Sequence, residues 1–423
     1  MSMISRRELL VGGTAALGAA TVRGRSARAE VSSVARNLIL VVANGGWDPV
    51  YALDPKDPGL ETIDSPEGVV QQFAGLDILT DPSRPAVASF FEAHASQIAL
   101  VNGVQVQSIV HSDCFKRIMT GTSSDTSPDF GAITAFEHGS DLPAPYLVLG
   151  QTNYTGPFAS LAAKTGSTNQ LGLLVDPLNG LPVGDPYDPE VPLVLDATER
   201  DLIRDFVLGS AEQRMAARGA LGSNRSRLQD FIDSFGRGEA LRELGSFGEL
   251  DYVRELPSQV DLALLGLERQ LCFVAHLEAG DFDTHQDNAA QTDEHQAFYA
   301  GLQYLMDELT ARPGAATGSR MIDETVVVVL SEMGRTPRLN GSGGKDHWPV
   351  TSTMVMGAGV AGGRVLGGTD DRLGAQLVNL DDGSLDPEGV QLQYANLVAG
   401  ILALVGVDPA DYLNAAPLGA LMA

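Results

Sequence analysis

Four short clusters in this sequence combine acids, imidazoles and turn residues as a ligand-binding crevice would need them. They are Asn44-Gly45-Gly46-Trp47-Asp48, Gly280-Asp281-Phe282-Asp283-Thr284-His285, Ser331-Glu332-Met333-Gly334-Arg335-Thr336-Pro337 and Gly344-Lys345-Asp346-His347-Trp348-Pro349. Several carboxylates and two imidazoles brought to one place repel or titrate strongly unless a cation neutralises them, so the set calls for a divalent metal. Asp48, Asp283, His285, Glu332 and His347 are the candidate ligands, with Asp281 as a substitute or outer partner. Oxygen and nitrogen donors without thiolate suit Zn, Mn or Fe, and Ca or Mg where carboxylates dominate. Each residue also has a plainer role: Asp48 as the cap of a turn, Glu332 as a buried acid with a partner, Arg335 as a structural ion pair instead of an anion clamp. His94, His138, His276 and His295 read as surface or core histidines, and no phosphate-binding loop, HExxH or GxSxG pattern occurs.

Such residues need elements to aim them, and three of the clusters directly follow apolar runs. Leu38–Ala43, Cys272–Leu277 and Thr325–Leu330 read as strands buried on both faces, with Ile98–Val101, Tyr146–Leu149 and Thr353–Met356 as further strands. Helical patterns at Cys114–Met119, Glu199–Ala217, Gln286–Ala311 and Gln391–Val405 alternate with them, which predicts an α/β fold with a doubly wound, mainly parallel sheet flanked by helices. In such sheets ligands sit beyond the carboxyl ends of the strands, where the clusters fall. Residues 197–256 read as a helical insertion, and Asp176–Pro192 and Gly357–Gly389 as loops, the second with a small hairpin. No linker divides the chain, so residues 30–423 are expected to form one domain.

The chain has 423 residues, 44% hydrophobic and 19% charged, enough for a large core. Residues 1–29 read as a twin-arginine signal: Ser5-Arg6-Arg7-Glu8-Leu9-Leu10, an apolar run to Val22, and Ala27-Arg28-Ala29 as cleavage site. The run is too short for a stable membrane span. Export makes the translocation machinery a partner and the periplasm or the exterior the destination. The whole chain carries 28 basic and 54 acidic residues; removing five arginines and Glu8 with the signal leaves 23 against 53. That charge excludes nucleic acid as the main partner. Cys114 and Cys272 allow one bridge or two free thiols.

The ordered set Gly45-Gly46-x-Asp48, His111 with Thr120-Gly121, Asp283-Thr284-His285, Ser331-Glu332-x-Gly334-Arg335-Thr336-Pro337 and Asp346-His347-Trp348-Pro349 resembles a twin-arginine-exported family catalogued as domain of unknown function 1501, in the alkaline phosphatase and sulfatase superfamily. The resemblance spans nearly the whole chain after the signal. It implies an alkaline phosphatase-like fold and a metal site at Asp48, Asp283, His285, Glu332 and His347. Two positions depart from the superfamily. His111 stands where it carries a Ser, Thr or modified Cys nucleophile, with Ser112 one residue later and Cys114 three. Glu332-Met333 keeps the carboxylate of a late Asp-His pair but loses its imidazole, a ligand that His111 would replace. The function so implied is a metal-dependent hydrolase of a phosphate or sulfate ester, on a small anionic ester or an envelope polymer, with His111, Ser112 and Arg335 as catalytic residues and Lys345 as a second group steadying the anion. The alternative is a non-catalytic exported protein that keeps the fold.

Overall fold

Asn37–Ala43 (β1) lies at the middle of the sheet because its side chains have somewhere apolar to go on both sides. Ile39, Val41 and Ala43 enter the core on one face, and Leu38, Leu40 and Val42 the core on the other. Thr325–Leu330 alternates in the same way, with Val327 and Val329 on the first face and Val326, Val328 and Leu330 on the second. Burying a Val, Leu or Ile side chain is worth roughly 1.5–3 kcal/mol, so these two strands alone fix the sheet's plane. The computed structural model describes residues 31–164, 183–185, 188–190, 196–217, 225, 228–229, 231–236, 255–316 and 318–422. The twin-arginine signature with its cleavage site, and most of residues 218–254 of the expected insertion, lie outside the described residues.

The main sheet has eight strands: β1, Ile98–Gln105 (β2), Tyr146–Val148 (β3), Ala162–Lys164 (β4), Val274–Ala279 (β5), Thr325–Leu330 (β6), Val350–Gly357 (β7) and Arg364–Gly367 (β8). Their spatial order is β8-β2-β7-β6-β1-β5-β3-β4. Five of the seven neighbouring pairs are parallel, and β7 runs antiparallel to both β6 and β2. The mainly parallel α/β sheet is thus the one expected. The edge strands β4 and β8 were not, being too short to leave an apolar run.

Helices cover both faces. Pro85–His94 (α1), Leu256–Glu268 (α5) and Gln291–Ala311 (α6) supply Phe90, Val260 and Phe298 to the core around Ile39. His111–Thr120 (α2), Phe130–Gly139 (α3) and Tyr394–Leu404 (α7) supply Ile118, Ile133 and Leu397 to the core around Leu40. Within the expected insertion, Ala197–Ala217 (α4) is helical as its pattern predicts. The Asp176–Pro192 loop holds an antiparallel pair, Val183–Asp185 with Asp188–Glu190, and Gly357–Gly389 contains β8 besides one side of a small hairpin, Leu377–Val378 with Val390–Gln391. Cys114 and Cys272 are both buried and free, one in each core, so the sheet separates them and the bridge is ruled out. Among the described residues no helix is long and apolar enough to cross a membrane.

Candidate functional site

The ends of β1, β5 and β6 are tied together by backbone before any side chain is involved. Asn44 N–H donates to Ala279 O at 3.1 Å and Phe282 N–H donates to Asn44 O at 2.8 Å, so the loops after β1 and β5 travel as one. Gly45 is obligatory at this crossing: its φ is +105°, and a Cβ there would sit 2.6 Å from Asp283 N. Ser331, the first residue past β6, donates to Ala43 O at 2.7 Å and accepts from Trp47 N–H at 3.0 Å. The antiparallel direction of β7 completes the set. Its first residue lies at the carboxyl edge of the parallel strands, so the preceding pair His347–Trp348, bonded to Gly334–Arg335, arrives beside residues that follow β1, β5 and β6.

Here three imidazoles and a carboxylate converge. His285 Nε2 and His347 Nε2 are 2.8 Å apart, and Asp283 Oδ1 lies 3.1 Å and 3.5 Å from them. His111 Nε2 is 3.5 Å from Asp283 Oδ2. Ligand-type atoms of His111, Asp283 and His347 all fall within 4.8 Å of one another. The other ring nitrogens all face acceptors: His111 Nδ1 meets Glu332 Oε1 at 2.7 Å, His347 Nδ1 meets Ile109 O at 2.7 Å, and His285 Nδ1 meets Asp346 Oδ1 at 3.3 Å. Donation from Nδ1 to each of these acceptors would leave three Nε2 lone pairs turned toward Asp283, the arrangement in which the group can take up a cation.

The charges around this group are already matched. Buried Glu332 also accepts from Gly45 N–H at 3.1 Å and Ser331 Oγ at 3.2 Å. The Glu332 hydrogen bond raises the His111 imidazolium above its ordinary range, against the opposing effect of burial. Burial would raise the Asp283 carboxyl, but the Arg335 hydrogen bond and charge outweigh it and hold it below the usual range. Arg335, with its side chain 0% exposed, donates from Nε to Gly46 O at 2.7 Å, from Nη1 to Lys345 O at 3.1 Å, and from Nη2 to Gly45 O and, at 2.7 Å, to Asp283 Oδ1. Asp48 and Lys345, both 0% exposed, pair at 2.7 Å. Asp48 Oδ2 also accepts from Asn288 Nδ2 at 3.0 Å, and the Asp48 N–H donates to Gln291 Oε1 at 2.7 Å.

Three sequence expectations change accordingly. Asp48 is not among the converging groups, because a lysine of the chain itself takes the place assigned to a metal. Glu332 is turned to His111 and two donors, so it positions an imidazole instead of joining the convergent set. Arg335 and Lys345 are turned to groups of the chain itself: four of the five guanidinium hydrogens go to three carbonyls and Asp283, and the Lys345 ammonium is ion-paired with Asp48. Of the remaining candidates, His111, Asp283, His285 and His347 are brought together. Ser112 is exposed in the first turn of α2. Cys114 lies inward, and burial pushes its thiol up to about 11. Sequence reasoning missed Asn288, Gln291 and the carbonyl of Ile109, and named Asp346 only as part of its cluster. Asn288 and Gln291 did leave a signal, two amides three residues apart beside the apolar stripe that opens α6.

Residues 259–420 match the family described as Protein of unknown function (DUF1501), the family that the motifs resemble, over the part of the chain that carries the last three of the five motifs. No curated protein matches the chain. Among solved structures it is similar to a protein in the alkaline phosphatase superfamily from Vibrio parahaemolyticus, at 8% identity over 90% of this chain and 69% of that one with a TM-score of 0.34. It is also similar to the lipoteichoic acid synthase LtaP from Listeria monocytogenes, at 10% identity over 91% and 77% with a TM-score of 0.39. A third is the PsFucS1 sulfatase from Pseudoalteromonas sp., at 9% identity over 92% and 72% with a TM-score of 0.39.

Proposed function

We propose that this chain is an exported hydrolase of a phosphate or sulfate ester that holds one divalent cation at His111, Asp283, His285 and His347. One observation carries the cation: two Nε2 atoms approach to 2.8 Å while each ring's Nδ1 faces an acceptor. With the hydrogens on Nδ1, the two Nε2 lone pairs face each other and are held together by a positive charge between them, a shared proton or a metal ion, which elemental analysis tells apart. The donor set fits, since three imidazoles and one carboxylate are borderline ligands of the kind that take Zn, Mn or Fe, and His111 Nε2 is buried with no hydrogen-bond partner among the described residues. When bound, such an ion supplies Lewis-acid polarisation of an ester oxygen.

The residues around it do the rest. Glu332, Ile109 O and Asp346 fix the three rings, as outer partners of metal-bound histidines do. Arg335 holds the Asp283 carboxylate in its ionised, ligating form. His111, oriented by Glu332 through Nδ1, presents Nε2 to the cation, and Ser112 presents a hydroxyl in the same helical turn. The domain is proposed to span 30–423, delivered by the twin-arginine machinery after loss of residues 1–29.

Elemental analysis of protein purified without chelator, alongside turnover of aryl phosphate, phosphodiester and sulfate esters, tests the reading. The expected result is about one equivalent of metal, lost in Asp283→Ala/His285→Ala, with one ester class hydrolysed. Equal, negligible metal in both proteins would overturn the site. Metal without turnover would favour a non-catalytic binding protein, a reading that the burial of Arg335 and Lys345 and their pairing with Asp283 and Asp48 support.

A further inference from the structure

Away from the histidine cluster, Val69–Phe73 and Leu76–Thr80 form an antiparallel hairpin, paired from Val69 opposite Thr80 to Phe73 opposite Leu76. Its two-residue turn, Ala74-Gly75, has φ of +47° and +92°, the type I′ geometry that matches the twist of the strands. Such a turn is closed by a hydrogen-bonded pair, here Phe73 with Leu76, and the pairs Gln71–Ile78 and Val69–Thr80 repeat it. The residues between them point N–H and C=O away from the facing strand. Leu79 shows this phase directly, because its N–H leaves the hairpin and donates to Ala52 O at 3.0 Å. On the first strand the same phase turns the N–H and C=O of Val70 and Gln72 outward. Among the described residues no third strand joins the hairpin, and no backbone group outside it meets these four.

The strand that carries this open edge is exposed and uncharged. Val69 and Val70 are 65% and 45% exposed, Gln71 and Gln72 are exposed, and Phe73 is half-buried against the core around Ile39. In a chain with a net charge of −26, Val69–Thr80 holds a single charged residue, Asp77, which lies on the far strand and accepts from Gln72 Nε2 at 3.3 Å. Edge strands are ordinarily blunted by lysine, proline or a covering segment, and this one has neither lysine nor proline. Its residue order is also self-complementary. Laid antiparallel to a copy of itself about Gln71, the outward groups of Val70 meet those of Gln72 in the second copy, and the reverse, which closes four N–H···O bonds. The same register puts Val69 opposite Phe73 of the second copy and Gln71 opposite its own counterpart, so apolar meets apolar, amide meets amide and no charge faces another. That match selects a second copy of this chain as the occupant of the edge.

We propose that this chain self-associates through the Val69–Phe73 edge, two copies joining their hairpins into one four-stranded antiparallel sheet with a two-fold axis at Gln71. Sedimentation equilibrium of the purified protein up to ~1 mM tests it, and because five residues a side make a small interface, the expected Kd is about 10–500 μM. Gln71→Lys and Gln71→Glu each set like charges face to face at the axis, ~4.5–5.5 Å apart, and are expected to weaken the dimer about three- to fivefold at low salt. Neither should move the thermal midpoint, since Gln71 is exposed. Mixed one to one, the two variants are expected to associate at least about fivefold more tightly than either does alone. Gln72→Pro removes an outward donor from each copy and spares the hairpin's own bonds, so it should weaken the dimer while leaving the fold intact. A protein that is monomeric at ~1 mM overturns the proposal. So does a dimer that the charge variants or Gln72→Pro leave unweakened, or a mixture of the charge variants no tighter than each alone.

Discussion

Lys345→Met isolates the charge matching beneath the site. Methionine keeps an unbranched stem of similar length in the same channel, and the Lys345 backbone N–H still donates to Thr284 O at 3.1 Å, so the change removes the ammonium and little else. Asp48 is then a fully buried carboxylate without its counter-charge. Breaking one partner of a buried pair costs about 3–5 kcal/mol. Asp48 retains the Asn288 amide at 3.0 Å and the Val50 N–H at 3.4 Å, which places the expected loss near the lower bound, about 3 kcal/mol. That is more than a hundredfold in the ratio of folded to unfolded protein. Urea unfolding at pH 7 followed by far-ultraviolet circular dichroism reads the loss as a lower midpoint at unchanged slope. The double variant Asp48→Asn/Lys345→Met should recover most of it, because no buried charge is then left alone. A loss under about 1 kcal/mol for Lys345→Met, or strictly additive effects in the cycle, would refute the claim that this lysine is the cation Asp48 requires.

Gly45→Ala should weaken cation uptake at least tenfold by elemental analysis or competition with a chelating dye, since the new Cβ meets the backbone of Asp283 and Phe282 at 2.6 Å and 2.9 Å; unchanged uptake would mean that the crossing does not set the ligand geometry. Chelator should lower the thermal midpoint of the wild-type protein, and Zn or Mn should restore it, while Asp283→Ala/His285→Ala shows neither shift. Burial pushes His276 and His295 down to about 3, so the folded state resists protons that the unfolded chain binds below about 6.5, and stability present above that pH is lost as pH falls toward 3. Asp129, pushed up to about 6 by burial, acts in the opposite sense and adds stability as pH falls from 6 to 4. Urea midpoints measured from pH 7 to pH 4 should therefore fall less steeply for His295→Phe, which keeps the stack on Tyr51, and more steeply for Asp129→Asn. Parallel curves for all three proteins would contradict both assignments.

The central strands were legible in the sequence because burial on both faces leaves an unbroken apolar run: Thr325–Leu330 was bounded to the residue. Direction was not legible. Val350–Gly357 looks like any other buried strand, yet its antiparallel course delivers His347 to the site. At the site, the residue types were readable and their partners were not. Asp48 and Lys345 are 297 positions apart, and nothing local distinguishes an acid that awaits a metal from one that meets a lysine. Edge strands such as Arg364–Gly367 escaped because half of their side chains need no apolar neighbour.

The two thiols on opposite sides of the sheet bear on the chain's history. Burial holds them up to about 11 and about 12, so neither is a thiolate at neutral pH, and the sheet stands between them. Folding therefore asks nothing of an oxidase or an isomerase. The covalent chain is the same in a reducing compartment as in an oxidising one, and a molecule folded on one side of a membrane has no bond left to make on the other.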